Sequence, residues 1–183
     1  MVLDPKTGAV AFQKRWRARY DASVNAATPL LLKGNLAFFS TSYETGAILI
    51  KLKKDGADVV WTDEDAMSNH YSTCVVHDGM LYGCDGRQES GARLRCIDPT
   101  GPKVMWTKER FGCATMVLAE KNLILLTEQG DLVLAEANPR EYTERSRAKV
   151  LDDTPVRAQP ALANGVLYAR DSGNLVALDL RKK

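Results

Sequence analysis

Two histidines, four cysteines and one loop of mixed charge carry most of the chemistry available to this sequence. His70 stands in Ser68-Asn69-His70-Tyr71, and an imidazole titrates near neutrality, so it could give or take a proton. Its plainer role is that of a loop histidine hydrogen-bonded to a neighbouring element. His77 flanks a turn signal, where solvent exposure is expected. The segment Asp85-Gly86-Arg87-Gln88-Glu89-Ser90-Gly91 combines carboxylates, a guanidinium and an amide. It could recognise a polar ligand or a partner, or serve only as a solvated turn. Its spacing is not that of a calcium loop. Cys74, Cys84, Cys96 and Cys113 form no Cys-x-x-Cys pair, and two histidines cannot complete a zinc set around them. Buried thiols are the expectation. Cys84 and Cys96 flank the charged loop and could approach each other, but a bridge needs Cα atoms within about 7 Å. No P-loop, Gly-x-Ser-x-Gly or His-Glu-x-x-His occurs.

The composition frames these residues. The chain has 183 residues, 45% hydrophobic and 26% charged, which is ordinary for a folded domain. Twenty-five Lys and Arg against 23 Asp and Glu leave +2, too weak a field to recruit nucleic acid or an anionic membrane. Arg15, Arg17 and Arg19 alternate around Trp16 and Ala18, which on a strand places them on one side, as a solvated edge. No apolar run approaches the roughly 18 residues of a transmembrane helix. Met1 to Gly8 hold neither a basic nor an apolar signal region, so no secretory signal is expected here.

Internal repetition sets the elements that must position the candidates. Thr28–Phe38, Thr73–Gly83, Thr115–Leu125 and Gln159–Ala169 align with one another. One column reads Leu36, Leu81, Leu123 and Leu167, at offsets of 45, 42 and 44 residues. Each copy is two short apolar runs around a turn: Lys33-Gly34, Asp78-Gly79, Glu120-Lys121 or Asn164-Gly165. Asp-Gly and Asn-Gly suit a two-residue hairpin, whose central residues both need positive φ. A third run follows at Ala47–Leu52, Ala92–Ile97, Asp131–Ala135 and Asn174–Leu180. A fourth ends near Phe12, Trp61 and Trp106. Four short strands repeating in this way predict an all-β propeller of about four four-stranded blades. Pro139–Leu151 could form a polar helical turn, but an exposed outer strand suits the repeat better.

Asp4-Pro5-Lys6-Thr7-Gly8 before Phe12, and Asp98-Pro99-Thr100-Gly101 before Trp106, resemble the Asp-x-x-Thr-Gly…Trp motif of PQQ-like propeller repeats. Gly165-Val166-Leu167-Tyr168 and Leu175-Val176-Ala177-Leu178-Asp179 resemble the same repeat's core. The resemblance covers nearly the whole chain and is to the C-terminal half of bacterial members. It departs at Phe12 for the first Trp, at Lys53 for an Asp, and at Ala137-Asn138-Pro139-Arg140, which lacks Thr-Gly. More distant relatives include quinoprotein alcohol dehydrogenases and a lipoprotein assisting outer-membrane protein assembly. The resemblance implies a non-catalytic binding or scaffold module of a periplasmic, secreted or envelope-associated parent. In that motif the Trp docks blade on blade. An alternative is a fragment of a quinoprotein dehydrogenase using PQQ and Ca²⁺. Those enzymes carry an adjacent Cys-Cys pair and a Glu/Asn/Asp ligand set, and neither can be matched here. A carbohydrate or small-ligand propeller is the third reading. No catalytic residue, cofactor or metal ligand is therefore assigned.

The expected units are 1–22 (outer strand of a missing blade), 23–66, 67–110, 111–155 and 156–183 (an incomplete last blade). They make the chain a truncated piece of a larger ring, whose partner is a protein or the missing half. Two alternatives remain. In a two-fold dimer, Ala9–Arg15 of each chain completes the other's last blade. In a closed ring, it completes its own. Strand alternation brings the loops before strand one and between strands two and three to one face. That face collects the candidate ligand or partner residues Asn25, His70, Tyr71, Asp85, Arg87, Glu89 and Arg157.

Overall fold

All four expected hairpins form, and strands follow one another in each sheet in chain order. The structure is a computed structural model that describes residues 1–181. A first hairpin pairs β1 (Val2–Leu3) with β2 (Val10–Phe12). The first full blade holds β3 (Leu30–Leu32), β4 (Leu36–Thr41), β5 (Gly46–Lys53) and β6 (Gly56–Asp63). The second holds β7 (Val75–His77), β8 (Met80–Asp85), β9 (Arg93–Asp98) and β10 (Lys103–Lys108). The third holds β11 (Ala114–Ala119), β12 (Asn122–Thr127), β13 (Asp131–Glu136) and β14 (Glu144–Lys149). The last sheet has three strands, β15 (Ala161–Ala163), β16 (Val166–Arg170) and β17 (Leu175–Asp179). All neighbouring strands are antiparallel. The segment over Pro139–Leu151 is indeed an outer strand, β14, exposed along its whole length.

Turn chemistry explains one shift of register. Asp78 and Gly79 both have positive φ, as do Asn164 and Gly165, so these hairpins close in two residues. Between β3 and β4 the turn takes three, Lys33-Gly34-Asn35, because Leu32 pairs with Leu36. An extra residue moves every following side chain to the other face of the strand. The structural equivalent of Leu81, Leu123 and Leu167 is therefore Ala37, not Leu36. Those three leucines and Ala37 are buried, whereas Leu36 is half-buried on the opposite face.

The cores lie between sheets. Phe38, Ala47 and Leu49 of the first blade meet Leu81 and Ile97 of the second. Tyr82, Leu94 and Cys96 of the second meet Leu123, Val133 and Ala135 of the third. Leu126 of the third meets Ala169 and Val176 of the last. Each blade thus has a rear face, toward the preceding sheet, and a forward face, toward the next. The indoles pin this stacking. Trp61 Nε1–H donates to the Pro99 carbonyl at 2.8 Å, and Trp106 Nε1–H to the Asn138 carbonyl at 2.7 Å, each in the next blade's outer turn. Phe12 has no donor and contributes packing alone, with Val2 and Trp16, against Ala37, Ile48 and Ile50.

Two expectations about the ends are corrected. Ala9–Arg15 is not a free outer strand, because β2 covers only Val10–Phe12 and already pairs with β1. It completes no other sheet of its own chain, and β17 pairs only with β16 among the described residues. The sheets therefore form an open partial ring. Residues 13–18 are not in a strand, so Arg15, Arg17 and Arg19 do not form a strand-edge stripe. Arg17 instead donates to the carbonyls of Asp21 and Ser23.

Candidate functional site

Blade geometry brings Tyr43, in the loop after β4, beside His70, in the loop before β7. Tyr43 and Glu44 both adopt positive φ, which folds this short loop tightly onto itself. The Tyr43 hydroxyl lies 3.0 Å from His70 Nε2, and Gln88 Oε1 lies 2.8 Å from Nδ1. The Gln88 amide nitrogen is committed to Glu89 Oε1 at 2.9 Å, so its oxygen faces the ring. His70 therefore donates through Nδ1–H to Gln88 and accepts at Nε2 from Tyr43. Both ring nitrogens are occupied by protein.

The imidazole also sits in an aromatic and cationic ladder. It meets Tyr43 edge-on at 5.4 Å and Tyr71 at 5.8 Å. The Arg87 guanidinium lies over the Tyr43 ring at 4.5 Å, and Arg157 over Tyr71 at 5.7 Å. Both contacts are in the range of cation–π attraction. Arg87 is held by Glu89 at 3.2 Å, and Arg157 by the buried Glu128 at 3.1 Å. The Glu89 carboxyl stays below the ordinary carboxylate range through its own backbone amide, with help from Arg87. Burial, then Glu128, push the Tyr71 phenol far up, so it stays protonated.

Asp85 plays another part. It is 4% exposed and accepts from Ser68 N–H at 2.7 Å, Arg93 at 2.7 Å and Arg95 at 3.0 Å. It ties the end of β8 to the loop that enters the blade. The same position is used elsewhere. The Thr41 hydroxyl donates to Asn25 Oδ1 at 2.9 Å, with the Val24 carbonyl 3.2 Å away, and Asp171 accepts from Asp153 N–H. Asn25 is consumed in that network and in a bond to the Trp16 carbonyl, away from the ladder. Of the seven candidates, His70, Tyr71, Arg87, Glu89 and Arg157 come together, Asp85 lies beneath them as a structural tie, and Asn25 stands apart. Tyr43, Gln88 and Glu128 complete the cluster. Recurrence at the end of strand two was the signal that could have found Asp85's role. His77 is half-buried rather than exposed, 3.5 Å from Asp78.

Beside the ladder lies an open cleft of about 650 Å³, lined by Tyr20, Tyr43, Glu44, Glu64, Arg87 and Arg93 among others. The cysteines are four separate buried thiols. Burial pushes Cys74 up to about 12, and Cys96 and Cys113 up to about 11, so none is a ready nucleophile. The residues present do not suit PQQ with Ca²⁺. Of the buried carboxylates, Asp85 and Glu128 are spent on arginines and Asp171 on backbone amides and Asn174, and no group of three or more acidic, His or Cys side chains among the described residues is arranged to hold a cation.

These sheets define the class, an all-β propeller with an open ring. No protein-family model matches the chain, and no curated protein does. It is similar to the solved structure of apo AztD from Citrobacter koseri, at 19% identity and a TM-score of 0.56, over 80% of this chain and 42% of that one. It is also similar to BamB from Moraxella catarrhalis, at 18% identity and a TM-score of 0.57, over 96% of this chain and 64% of that one. The chain spans less than two thirds of either protein. At these identities the likeness shows the propeller fold alone.

Proposed function

We propose that this chain is a non-catalytic binding or scaffold module of PQQ-like repeats, from a bacterial envelope protein, whose recognition surface is the ladder Arg87, Tyr43, His70, Tyr71, Arg157. One observation carries the reading. The imidazole of His70 has both nitrogens engaged, by Tyr43 and Gln88. A fully partnered histidine between tyrosines and arginines is a rigid, patterned surface rather than a base awaiting substrate. Tyr and Arg are the residue types enriched where proteins bind proteins. The similarity to propellers from two bacteria supports a bacterial parent.

The test uses a displayed random peptide library selected on the intact chain. Selected peptides should lose at least about tenfold in affinity for Arg87→Ala and Tyr43→Ala, with unchanged circular dichroism; tenfold corresponds to roughly 1.4 kcal/mol. Peptides that bind both variants normally, or a library that yields none, would contradict the proposal. So would a shift in quinone absorbance on titrating the protein with PQQ and Ca²⁺, which would favour the quinoprotein alternative.

A further inference from the structure

The cleft beside the ladder holds charges that do not balance. Apart from Tyr20 and Ala22, its lining comes from the first and second full blades, and neither the first hairpin nor the last sheet contributes to it. Both arginines that line it are already paired, Arg87 with Glu89 at 3.2 Å, and Arg93 with Asp85 at 2.7 Å and Glu109 at 3.7 Å. Three further carboxylates line it, those of Glu44, Glu64 and Asp65. Glu44 accepts from the Tyr20 hydroxyl at 3.0 Å, a neutral donor that leaves the carboxylate charge in place. Glu64 and Asp65 are exposed and form no ion pair among the described residues. The cleft therefore carries a surplus of negative charge in a chain whose net charge is +2.

The acidic wall is fixed in place. Asp63 Oδ1 accepts from the Asp65 and Ala66 N–H groups at 2.9 and 2.6 Å, which folds the turn that presents Glu64 and Asp65. Arg95 of the second blade donates to the Asp65 and Ala66 carbonyls. Gly46 lies against the same turn. A Cβ there would overlap the Asp63 carbonyl and Glu64 Cα, so glycine, at a φ of +72°, is what admits this approach. In the cleft itself, Ser42 is 2% exposed, and its hydroxyl has no hydrogen-bond partner among the described residues. Its neighbours Ser40 and Thr41 both spend theirs, on the Met67 carbonyl at 2.8 Å and on Asn25 Oδ1 at 2.9 Å. Polar groups this deeply buried are almost always paired, so a free hydroxyl on a cleft wall points to a ligand.

We infer that this cleft receives a cationic side chain, lysine or arginine, of a partner polypeptide. Glu44, Glu64 and Asp65 supply the opposing charge. The Ser42 hydroxyl accepts one of the cation's N–H donors. The Tyr20 ring, 54% exposed, adds a wall that attracts cations. An acidic side chain finds no such welcome, because both arginines are already neutralised by carboxylates. The inference rests on the binding role of the ladder, with which the cleft shares Tyr43 and Arg87, and it names the chemistry of the partner.

Amide spectra of the nitrogen-15-labelled chain at low ionic strength, titrated with acetylated tri-lysine amide, test it. Saturable shifts are expected at Ser42, Glu64 and Asp65, fading as salt is raised, and absent with tri-glutamate or tri-norleucine amide. Glu64→Gln combined with Asp65→Asn should weaken binding at least about fivefold. Ser42→Ala should weaken it at least about threefold. Both changes should leave circular dichroism unaltered. Arg87→Ala separates the cleft from the ladder. It weakens peptides held by the ladder but removes a positive charge from the cleft, so tri-lysine should bind at least as tightly. No saturable shift at these amides, binding untouched by the carboxylate variant, or equal shifts with tri-glutamate overturns the inference. Ladder-bound peptides without tri-lysine binding overturn it and leave the ladder standing. Tri-lysine binding without ladder-bound peptides supports the cleft and sinks the ladder.

Discussion

Trp106 in the second blade reaches 2.7 Å to the carbonyl of Asn138 in the third, although its ring packs at 6.0 Å from Tyr82 of its own sheet. The indole thus joins two blades by a hydrogen bond and fills one interface with its rings. Trp106→Phe keeps most of the packing and should cost about 0.5–1.5 kcal/mol, the usual net worth of one hydrogen bond. Trp106→Ala should cost about 3–5 kcal/mol. Urea unfolding measures both. A Trp106→Phe variant as stable as the wild type would show that the indole N–H contributes nothing.

Asp85 is a structural tie. Its removal leaves Arg95, 8% exposed, without its carboxylate. Asp85→Ala should lower stability by about 3–5 kcal/mol, as expected for breaking a buried ion pair. A loss under about 1 kcal/mol, read by denaturant midpoint, would return Asp85 to the list of ligand contacts.

The leucine column gives a test of register. Leu81→Ala, Leu123→Ala and Leu167→Ala should each cost about 2–5 kcal/mol. Leu36→Ala should cost clearly less, because Leu36 is half-buried and Ala37 holds the equivalent site. A loss at Leu36 matching the other three would restore the two-residue turn and the simpler alignment.

That column also shows what the sequence made legible. Asp-Gly and Asn-Gly announced their hairpins, because few other residues accept two positive φ values in succession. Lys33-Gly34-Asn35 hid a three-residue turn, because leucine on either side reads the same in both registers. The spacing of Trp61 and Trp106 marked the repeat, and the resemblance to PQQ-like repeats implied that they dock blade on blade. The hairpin β1–β2 was not legible: Asp4-Pro5-Lys6-Thr7-Gly8 shows only its resemblance to a repeat motif, and two residues of β1 are too few to show a period. In the site, His70 and Arg87 stood out by type. Tyr43 and Gln88 did not, since their roles depend on loops that meet only after the blades stack. Asp85 looked like a loop carboxylate, and its arginines lie on the neighbouring strand, β9.

The thiols give a prediction about accessibility. All four cysteines are buried and unpaired, and burial raises each thiol well above the roughly 8.5 of a free cysteine. At mildly alkaline pH an alkylating reagent should leave the native chain unmodified and add four groups after denaturation. Mass spectrometry reads both states. Rapid native modification, or a gain of two hydrogens on reduction, would contradict the burial or the free-thiol state.

The reading of the site rests on His70 being held at both nitrogens, and nitrogen-15 spectra of the histidine ring test that directly. Spectra are recorded at mildly alkaline pH, with His70→Asn used for assignment. A held ring shows one fixed tautomer, with the proton on Nδ1 toward Gln88 and an accepting Nε2 toward Tyr43. Tyr43→Phe should then move the Nε2 resonance and leave Nδ1 protonated. A proton on Nε2, or the averaged signal of a solvent-exposed imidazole exchanging between tautomers, would contradict the account and return His70 to the pool of free proton carriers.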